Sequence, residues 1–411
     1  MRVLELYSGI GGMHYALIES NLSYQVVAAV DINTTANQVY THNIPNTALL
    51  NKTIEGITLE EFNKLSFDMI LMSPPCQPFT RIGLQRDLDD PRTKSFLHIV
   101  DLLPRLSKAP LYILLENVKG FEKSAAREYL VKTLRECQYT VQEMMVSPTH
   151  VGIPNSRLRY YLMAKRSAQQ KSDAQTGQEA PVSFHPTFQN LSPTTDELQE
   201  LQVTLISAPS TGPAEDAPPA PHICPPQDKS HTCPCSTQLK ATLEVQKKQI
   251  QNSDLSVQQI QAFLEPQEDV HEPQHLLPPK TLLRYAQLLD IVRPSCRRSV
   301  CFTKGYRKYV EGTGSVLQCC LDTSVEDVFP SLDQCSEEEK VQRLLDLKLR
   351  YFTPREVANL MGFPQSFTFP ESVSTKQQYR LLGNSLNVVV VAKLLQLLVT
   401  PEQQHKDGGP H

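Results

Sequence analysis

The feature that most constrains the fold is an alternation of short apolar runs with helical patterns over residues 1–165. The apolar runs are Val3–Leu6, Val26–Val30, Met69–Met72 and Tyr112–Leu115. Strand, loop and helix repeated in this way predict an α/β protein with a mostly parallel sheet and helices on both faces. Because ligands of such sheets bind at the carboxyl ends of the strands, the residues at those ends are the first candidates for a site.

The loop after the first strand is rich in glycine and runs from Leu6 to Gly12, with a helix expected from about Met13. Small residues let the backbone approach a ligand. Asp31 ends the second strand, where an acid suits the ribose hydroxyls of an adenosyl cofactor. A tight turn needed only for packing is an alternative, and dinucleotide binding is another. The spacing Gly-x-Gly-Gly, rather than Gly-x-Gly-x-x-Gly, disfavours the dinucleotide.

The next candidate is Cys76, in the run Ser73–Gln77 at the end of the third strand. Two prolines stiffen the backbone and hold the thiol at the carboxyl edge of the sheet. Arg81, Arg157 or Arg159 would favour the thiolate. A thiolate adds to carbon 6 of cytosine and makes carbon 5 reactive toward the methyl group of a sulfonium. Taken alone, however, a cysteine is more often a small buried apolar residue.

Charged side chains mark two further positions. Glu116 follows the fourth strand, and its carboxyl group can hydrogen-bond nitrogen 3 and the exocyclic amine of cytosine. Arg157 and Arg159, two residues apart, share one face of a strand and can bind phosphate or the cytosine carbonyl. In isolation each of these groups is more typical of a solvated surface.

Residues 167–252 interrupt the α/β pattern. They hold 11 of the 31 prolines and are rich in Gln, Ser and Thr, a composition that predicts a disordered insert. They also carry 5 Lys against 9 acidic residues, which accounts for the whole net charge of −4. Any nucleic-acid site must therefore be a local basic patch. We expect folded structure to resume with a helix cap near Ser253.

The sequence contains no run of 18 apolar residues and no signal-peptide pattern, so we expect no membrane span. The ten cysteines are then expected to be free thiols of an intracellular protein. Cys224, Cys233 and Cys235 lie near His222 and His231, but a second pair at zinc-ribbon spacing is missing. We therefore expect no metal.

Taken together, these segments resemble the cytosine-5 methyltransferase family. Six motifs occur in the family's order: Tyr7–Gly12, Pro75–Gln77, Glu116–Val118, Arg157–Arg159, Gly362–Pro364 and Gly383–Ser385. They cover about 1–165 and 350–399. One departure is Asn155, where the family usually has Gln; both are amides, so we expect it to be tolerated.

The resemblance implies a class I, Rossmann-like methyltransferase fold that uses S-adenosylmethionine and releases S-adenosylhomocysteine, together with a smaller target-recognition domain. The implied division is 1–166 for the first part of the catalytic domain, 167–252 for the insert, 253–350 for target recognition, 351–399 for the returning catalytic part and 400–411 for a flexible tail.

The resemblance also assigns roles. It makes Cys76, Glu116, Arg157 and Arg159 catalytic. The implied cofactor contacts are Tyr7, Ser8, Gly9, Ile10, Gly11, Gly12, Asp31, Ile32, Ile54, Glu55, Ser73, Asn384 and Ser385.

The run Cys301–Tyr309 resembles the Cys-Phe-Thr-x-x-Tyr-x-x-Tyr signature of the branch that methylates aspartate tRNA. This implies a target cytosine in the anticodon loop, flipped out of its stack. Cations interleaved with rings suit a single-stranded loop, and a packed region with a solvated basic face is the alternative. The substrate-binding candidates are Arg293, Arg297, Arg298, Cys301, Phe302, Thr303, Lys304, Tyr306 and Tyr309.

The expected partner is therefore tRNA, with DNA as a weaker possibility. Two rival functions stay open: a DNA cytosine-5 methyltransferase, and a nucleic-acid-binding protein with vestigial catalysis. We further expect a monomer in the cytoplasm, with the nucleus as a second compartment.

Overall fold

The computed structural model describes residues 1–75, 93–166, 245–266 and 272–400. Three predicted features lie outside the described residues: Cys76 with the loop after it, most of the insert with its cysteines and histidines, and the tail from residue 401.

The main sheet has seven strands: β1 (Arg2–Leu6), β2 (Gln25–Val30), β3 (Leu49–Leu50), β4 (Met69–Met72), β5 (Tyr112–Val118), β6 (Tyr139–Val146) and β7 (Arg159–Arg166). Their spatial order is β3-β2-β1-β4-β5-β7-β6. The first five strands pair in parallel, and β7 pairs antiparallel with both β5 and β6. The predicted mostly parallel sheet is confirmed.

The described helices fall into two groups along the chain. Those of the first part are α1 (Gly12–Glu19), α2 (Thr34–Asn43), α3 (Leu59–Leu65), α4 (Lys94–Leu102) and α5 (Ala125–Glu136). Those of the later part are α6 (245–253), α7 (Glu272–His275), α8 (Pro279–Tyr285), α9 (Val325–Ser331), α10 (Glu337–Asp346), α11 (Pro354–Leu360), α12 (Thr375–Asn384) and α13 (Val388–Val399).

Alternate residues of the central strands enter two separate cores. Leu4 and Ile70 belong to one core, which they share with apolar residues of α4 and α5. Val3 and Leu71 face the opposite way and pack in the other core with α1 and α13. This is the side-chain alternation expected of strands buried on both faces.

A second sheet of three strands lies in the later part of the chain: β8 (Ile291–Val292), β9 (Val316–Gln318) and β10 (Leu349–Tyr351), in the order β10-β9-β8. Val316 and Leu349 of this sheet belong to the same core as α1 and α13. The segment predicted to recognise the target is therefore packed against the catalytic part through a continuous apolar core.

One boundary differs from the prediction. Ser253 does not begin a helix; it is the last residue of α6, and its hydroxyl donates to the Ile250 carbonyl. Serine hydroxyls can bond backbone groups at either end of a helix, so the residue type alone did not fix the direction. The described part of the predicted insert, 245–252, is helical, and Lys248 forms an ion pair with Asp290.

The stretch Thr375–Val399 is long and apolar enough to cross a membrane by length and composition alone. More than half of its most apolar window is buried within the protein. In α13 the buried residues include Val391 and Leu395, which pack in the same core as α1. That burial is typical of a core helix.

Candidate active site

The carboxyl ends of β4 and β5 meet at one edge of the main sheet. Asn117, near the end of β5, is buried and its amide donates to the Pro74 carbonyl at 3.4 Å. This bond fixes Pro74 and Pro75, the residues immediately before Cys76, beside the strand that carries Glu116. Sequence reasoning named Asn117 only as part of a motif and missed this positioning contact.

Glu116 and Arg159 form a partly shielded ion pair at this edge. The distance from Arg159 Nε to Glu116 Oε1 is 3.5 Å, and both side chains are mostly buried. Burial raises the pKa of Glu116 above its ordinary value, although the neighbouring Arg159 and Arg157 act to lower it. A carboxyl group in this setting is suited to share a proton with a bound base.

Arg157 precedes β7, which begins at Arg159, so the two arginines do not share a strand face as predicted. Both guanidinium groups nevertheless approach the thiol of Cys301. The distances to Cys301 Sγ are 3.3 Å from Arg157 Nη1 and 3.7 Å from Arg159 Nη2. Burial alone would raise the pKa of Cys301, but the two arginines hold it below its ordinary value. The run Cys301–Tyr309 therefore begins beside Arg157 and Arg159, at the carboxyl edge of the main sheet.

The two arginines nevertheless differ in what their remaining donors contact. Arg157 donates to the carbonyls of Phe302, Gly383 and Ser385, all within the protein. The prediction that Arg157 binds phosphate or the cytosine carbonyl is not supported, because Nη1 and Nη2 are both engaged by backbone oxygens. Arg159 donates to the Leu158 carbonyl and keeps its position beside Glu116.

The glycine loop adopts a conformation that needs small residues. Gly9 and Gly11 have φ values of 52° and 88°, in the left-handed region that favours glycine. The Gly9 amide donates to Asp31 Oδ2 at 2.8 Å, and the Asn33 amide donates to Oδ1 at 2.7 Å. Asp31 therefore holds the loop, and its remaining lone pairs can still accept from ribose hydroxyls.

Several features of this loop fit an adenosyl cofactor. A side chain built on Gly9 would meet nothing within 4 Å, so the space above its backbone is open. Ser8 is buried, and its hydroxyl has no hydrogen-bond partner among the described residues. A polar group of a ligand bound in the space beside Gly9 would give the buried Ser8 hydroxyl a hydrogen-bond partner.

The other predicted cofactor residues differ in exposure. Ser73 donates its hydroxyl to the Tyr7 carbonyl at 3.3 Å, and Ile10 is buried in the core. Ile32 is 63% exposed and can offer an apolar surface, and Glu55 is also exposed. Ile54, by contrast, is 4% exposed and packs in the core.

The returning segment at the end of α12 closes the loop from the other side. A methyl group added to Gly12 would lie 3.1 Å from Ser385 Oγ. Asn384 is exposed next to it, and Ser385 is half-buried. The glycine loop and the segment Gly383–Ser385 are therefore in contact, as the prediction of a shared pocket requires.

The run Cys301–Tyr309 is less exposed than predicted. Phe302 and Tyr306 are 2% and 4% exposed, and their rings stack edge-to-face with centroids 5.0 Å apart. Tyr306 also donates to the Ser315 carbonyl and accepts from the Phe352 amide. The prediction that these two rings stack on bases is wrong, because they belong to the core.

The three arginines before this run are also held within the protein. Arg298 is buried in an ion pair with Asp290, and Arg297 donates to the Val257 carbonyl. Arg293 donates to the Gln318 side chain at 3.1 Å and pairs with Glu326 at 3.8 Å. Their charges contribute to the local potential, but their side chains are not free cations.

An exposed cationic surface remains at the end of the segment. Lys304, Arg307 and Lys308 are exposed, and Tyr309 is 59% exposed. Lys308 Nζ lies 4.9 Å from the centroid of the Tyr309 ring. Thr303 is half-buried and leads into this surface. Of the predicted substrate contacts, Lys304 and Tyr309 are the ones whose side chains are exposed.

Asn155, the departure from the family pattern, has a defined structural role. Its amide donates to Ser299 Oγ and to the Val300 carbonyl, both at 3.0 Å. It thereby ties the segment before β7 to the segment that leads to Cys301. Within the described ranges, no group of three or more His, Cys, Asp or Glu is placed to hold a metal ion.

Comparison with known proteins identifies the family to which this chain belongs. The family model of C-5 cytosine-specific DNA methylase matches residues 1–399. The chain is 56% identical over 407 residues to the Homo sapiens tRNA (cytosine(38)-C(5))-methyltransferase, covering 97% of this chain and 99% of that protein. It is 37% identical over 413 residues to a Dictyostelium discoideum DNA (cytosine-5)-methyltransferase, covering 98% and 96%.

A solved structure agrees. The crystal structure of a Spodoptera frugiperda DNMT2 mutant matches with a TM-score of 0.68 at 38% identity, covering 97% of this chain and 99% of that one. The sheet order and this match confirm the predicted class I methyltransferase fold. The chain therefore belongs to the family of C-5 cytosine-specific DNA methylases.

Proposed function

We propose that this protein transfers a methyl group from S-adenosylmethionine to carbon 5 of a cytosine in tRNA. The observation that carries the proposal is the buried pair of Glu116 and Arg159, on a strand that is tied through Asn117 to Pro74, two residues before Cys76. These groups lie at the sheet edge that adjoins the glycine loop. When bound there, the cofactor supplies an electrophilic methyl group.

In this mechanism the Cys76 thiolate adds to carbon 6 of the flipped-out cytosine, forming a carbon–sulfur bond and placing an electron pair at carbon 5. Glu116, with its raised pKa, donates a proton or hydrogen bond to nitrogen 3, so that the ring accepts this charge. Arg159 neutralises negative charge that develops on the carbonyl side of the ring. After methyl transfer, water takes the carbon 5 proton, the electrons of that C–H bond form the double bond between carbons 5 and 6, and the carbon–sulfur bond breaks to release the thiolate and the aromatic ring.

Three observations support tRNA as the substrate. The Homo sapiens relative of 56% identity is named for cytosine 38 of tRNA, and the run Cys301–Tyr309 resembles the signature of that branch. The exposed Lys304, Lys308 and Tyr309 supply charge and one ring for an unpaired loop. We propose cytosine 38 of aspartate tRNA as the target.

A labelled-methyl assay tests this proposal. Wild-type protein with S-adenosylmethionine should label an aspartate-tRNA transcript, and a transcript in which cytosine 38 is replaced by uridine should stay unlabelled. The Cys76→Ala variant should transfer no methyl group while it still binds S-adenosylhomocysteine. Full activity of that variant would overturn the mechanism.

The second candidate function is methylation of DNA, which the 37% identical Dictyostelium discoideum relative favours by its name. The same assay with duplex DNA of matched cytosine content separates the two. Faster labelling of DNA than of tRNA would replace the proposal. Binding of tRNA without any methyl transfer would instead favour a binding protein with vestigial catalysis.

A further inference from the structure

Arg157 is an almost fully buried cation whose terminal nitrogens contact backbone oxygens of distant segments. Nη1 donates to the Phe302 carbonyl at 3.1 Å, and Nη2 donates to the Gly383 carbonyl at 3.2 Å and to the Ser385 carbonyl. Burying a guanidinium group is costly unless its donors are satisfied in a fixed geometry. Here Nη1 and Nη2 are satisfied, while Nε has no hydrogen-bond partner among the described residues. The Arg157 side chain therefore holds the run Cys301–Tyr309 and the end of α12 in a fixed arrangement.

The end of α12 is closely packed on both of its sides. A methyl group added to Gly383 would lie 2.1 Å from the Lys304 backbone nitrogen, so these two backbones are in direct contact. On the other side, Gly12 of the glycine loop packs against Ser385, since a methyl group added to Gly12 would lie 3.1 Å from Ser385 Oγ. The segment Gly383–Ser385 is thus wedged between the loop that presents Lys304 and the glycine loop.

We infer that Arg157 is a positioning residue that couples the cofactor site to the tRNA site by fixing the segment Gly383–Ser385. This inference rests on the proposed function, because it assumes that the glycine loop binds S-adenosylmethionine and that Lys304 contacts tRNA. Arg159 differs in this respect, since it contacts Glu116 and the thiol of Cys301 but no carbonyl of the returning segment.

The matched pair Arg157→Lys and Arg159→Lys tests the inference. Each variant keeps the positive charge, but a lysine at 157 cannot span three carbonyls. We expect Arg157→Lys to weaken S-adenosylhomocysteine binding in calorimetric titration by about tenfold, a usual size for coupling between sites. Arg159→Lys should keep the wild-type affinity for S-adenosylhomocysteine and lose mainly kcat on aspartate tRNA.

The opposite outcome would assign Arg157 a role on the substrate. If Arg157→Lys binds S-adenosylhomocysteine as tightly as wild type and loses kcat in the manner of Arg159→Lys, Arg157 acts on the substrate and the inference is wrong. If the wild-type protein transfers no methyl group at all, the proposed function fails instead. The two failures are therefore distinguishable.

Two further measurements keep the inference testable if Arg157→Lys fails to fold. The Gly383→Ala variant disturbs the same contact from the side of Lys304 while Arg157 is intact, and it should also weaken S-adenosylhomocysteine binding. In wild-type protein, S-adenosylhomocysteine should slow hydrogen exchange of the backbone amides at 302–304. Unchanged exchange at those amides would contradict the coupling.

Discussion

The carboxyl edge of the main sheet and the segment 293–309 are both rich in charge, yet they are built in opposite ways. At the sheet edge Glu116 and Arg159 are buried together, and the glycine loop at the same edge has open space beside Gly9. In the segment 293–309 the rings of Phe302 and Tyr306 form core, and the exposed groups lie at its end, around Lys304 and Tyr309. Buried charge is costly and persists where it is paired and used, whereas buried rings stabilise the fold.

The contrast between the two regions predicts the largest effect at Glu116. Glu116→Gln keeps the shape of the side chain but removes its ability to donate a proton to nitrogen 3 of the base. We expect kcat for tRNA methylation to fall by about 10²–10⁴-fold. Binding of S-adenosylhomocysteine, measured by calorimetry, should be unchanged, and wild-type kcat in this variant would remove Glu116 from the mechanism.

Within the segment 293–309, a large effect on stability is expected at Phe302. Phe302→Ala opens a cavity beside Tyr306 and Phe352 and should lower the free energy of unfolding by about 3–5 kcal/mol, measured by urea titration. The matched control Tyr309→Ala removes an exposed ring and should change it by less than about 0.5 kcal/mol. Equal losses in the two variants would contradict the division between core and exposed rings.

Glu5 is a second buried glutamate in the same sheet, and its role differs from that of Glu116. It is fully buried in β1, where Oε2 accepts from the Tyr40 hydroxyl at 2.9 Å and lies 3.9 Å from His14 Nδ1. Burial raises the pKa of Glu5 from 4.5 to about 8, and burial lowers the pKa of His14 to about 4. Near neutral pH both groups are therefore uncharged in the folded protein.

The sign of the pH dependence follows from these pKa values. Between about pH 4.5 and pH 8 the folded protein holds the Glu5 proton and the unfolded chain releases it, so stability from this group is lost as pH rises through that range. We expect Glu5→Gln to remove that loss, so the urea midpoint of wild type should fall relative to the variant between pH 5 and pH 9. A constant difference across that range would contradict a protonated Glu5, and methyl transfer by Glu5→Gln should stay near wild type.

The smallest effect is expected at the exposed end of the segment. Tyr309→Ala removes a ring with a neighbouring lysine and should weaken binding of aspartate tRNA by about 1–3 kcal/mol, the usual contribution of one base stacked on an aromatic ring. The kcat at saturating tRNA should be unchanged. Filter binding with Lys304→Ala as a second variant checks this, and unchanged affinity in both would place the tRNA elsewhere.

These regions also differ in how far the sequence could predict them. The strands of the first 165 residues have short apolar runs whose ends are marked by Gly9, Asp31 and Glu116, and the structure places these residues at one edge of the sheet. Periodicity locates a strand end, and parallel pairing then brings the ends together. The glycine loop and the position of Glu116 could therefore be predicted from the sequence alone.

The segment 293–309 has no such periodicity, so the sequence could not tell which of its rings and cations face inward. Phe302 and Tyr306 are buried by contacts with Phe352 and Tyr379, which are far away in the chain. Likewise, the carbonyl contacts of Arg157 depend on the return of the chain at Gly383. Resemblance to a family drew attention to this segment, but the division between packed and exposed side chains needed the tertiary structure.

A trapping experiment shows whether a thiolate of this sheet edge attacks cytosine in tRNA. In an aspartate-tRNA transcript containing 5-fluorocytidine, carbon 5 carries no proton after methyl transfer, so the thiolate cannot be eliminated. We predict a denaturation-resistant protein–RNA adduct that requires S-adenosylmethionine, maps to Cys76 by mass spectrometry and is absent in Cys76→Ala. Attack by Cys76 would be contradicted if wild-type protein that methylates the unfluorinated transcript formed no adduct. An adduct mapped to Cys301 would contradict it as well.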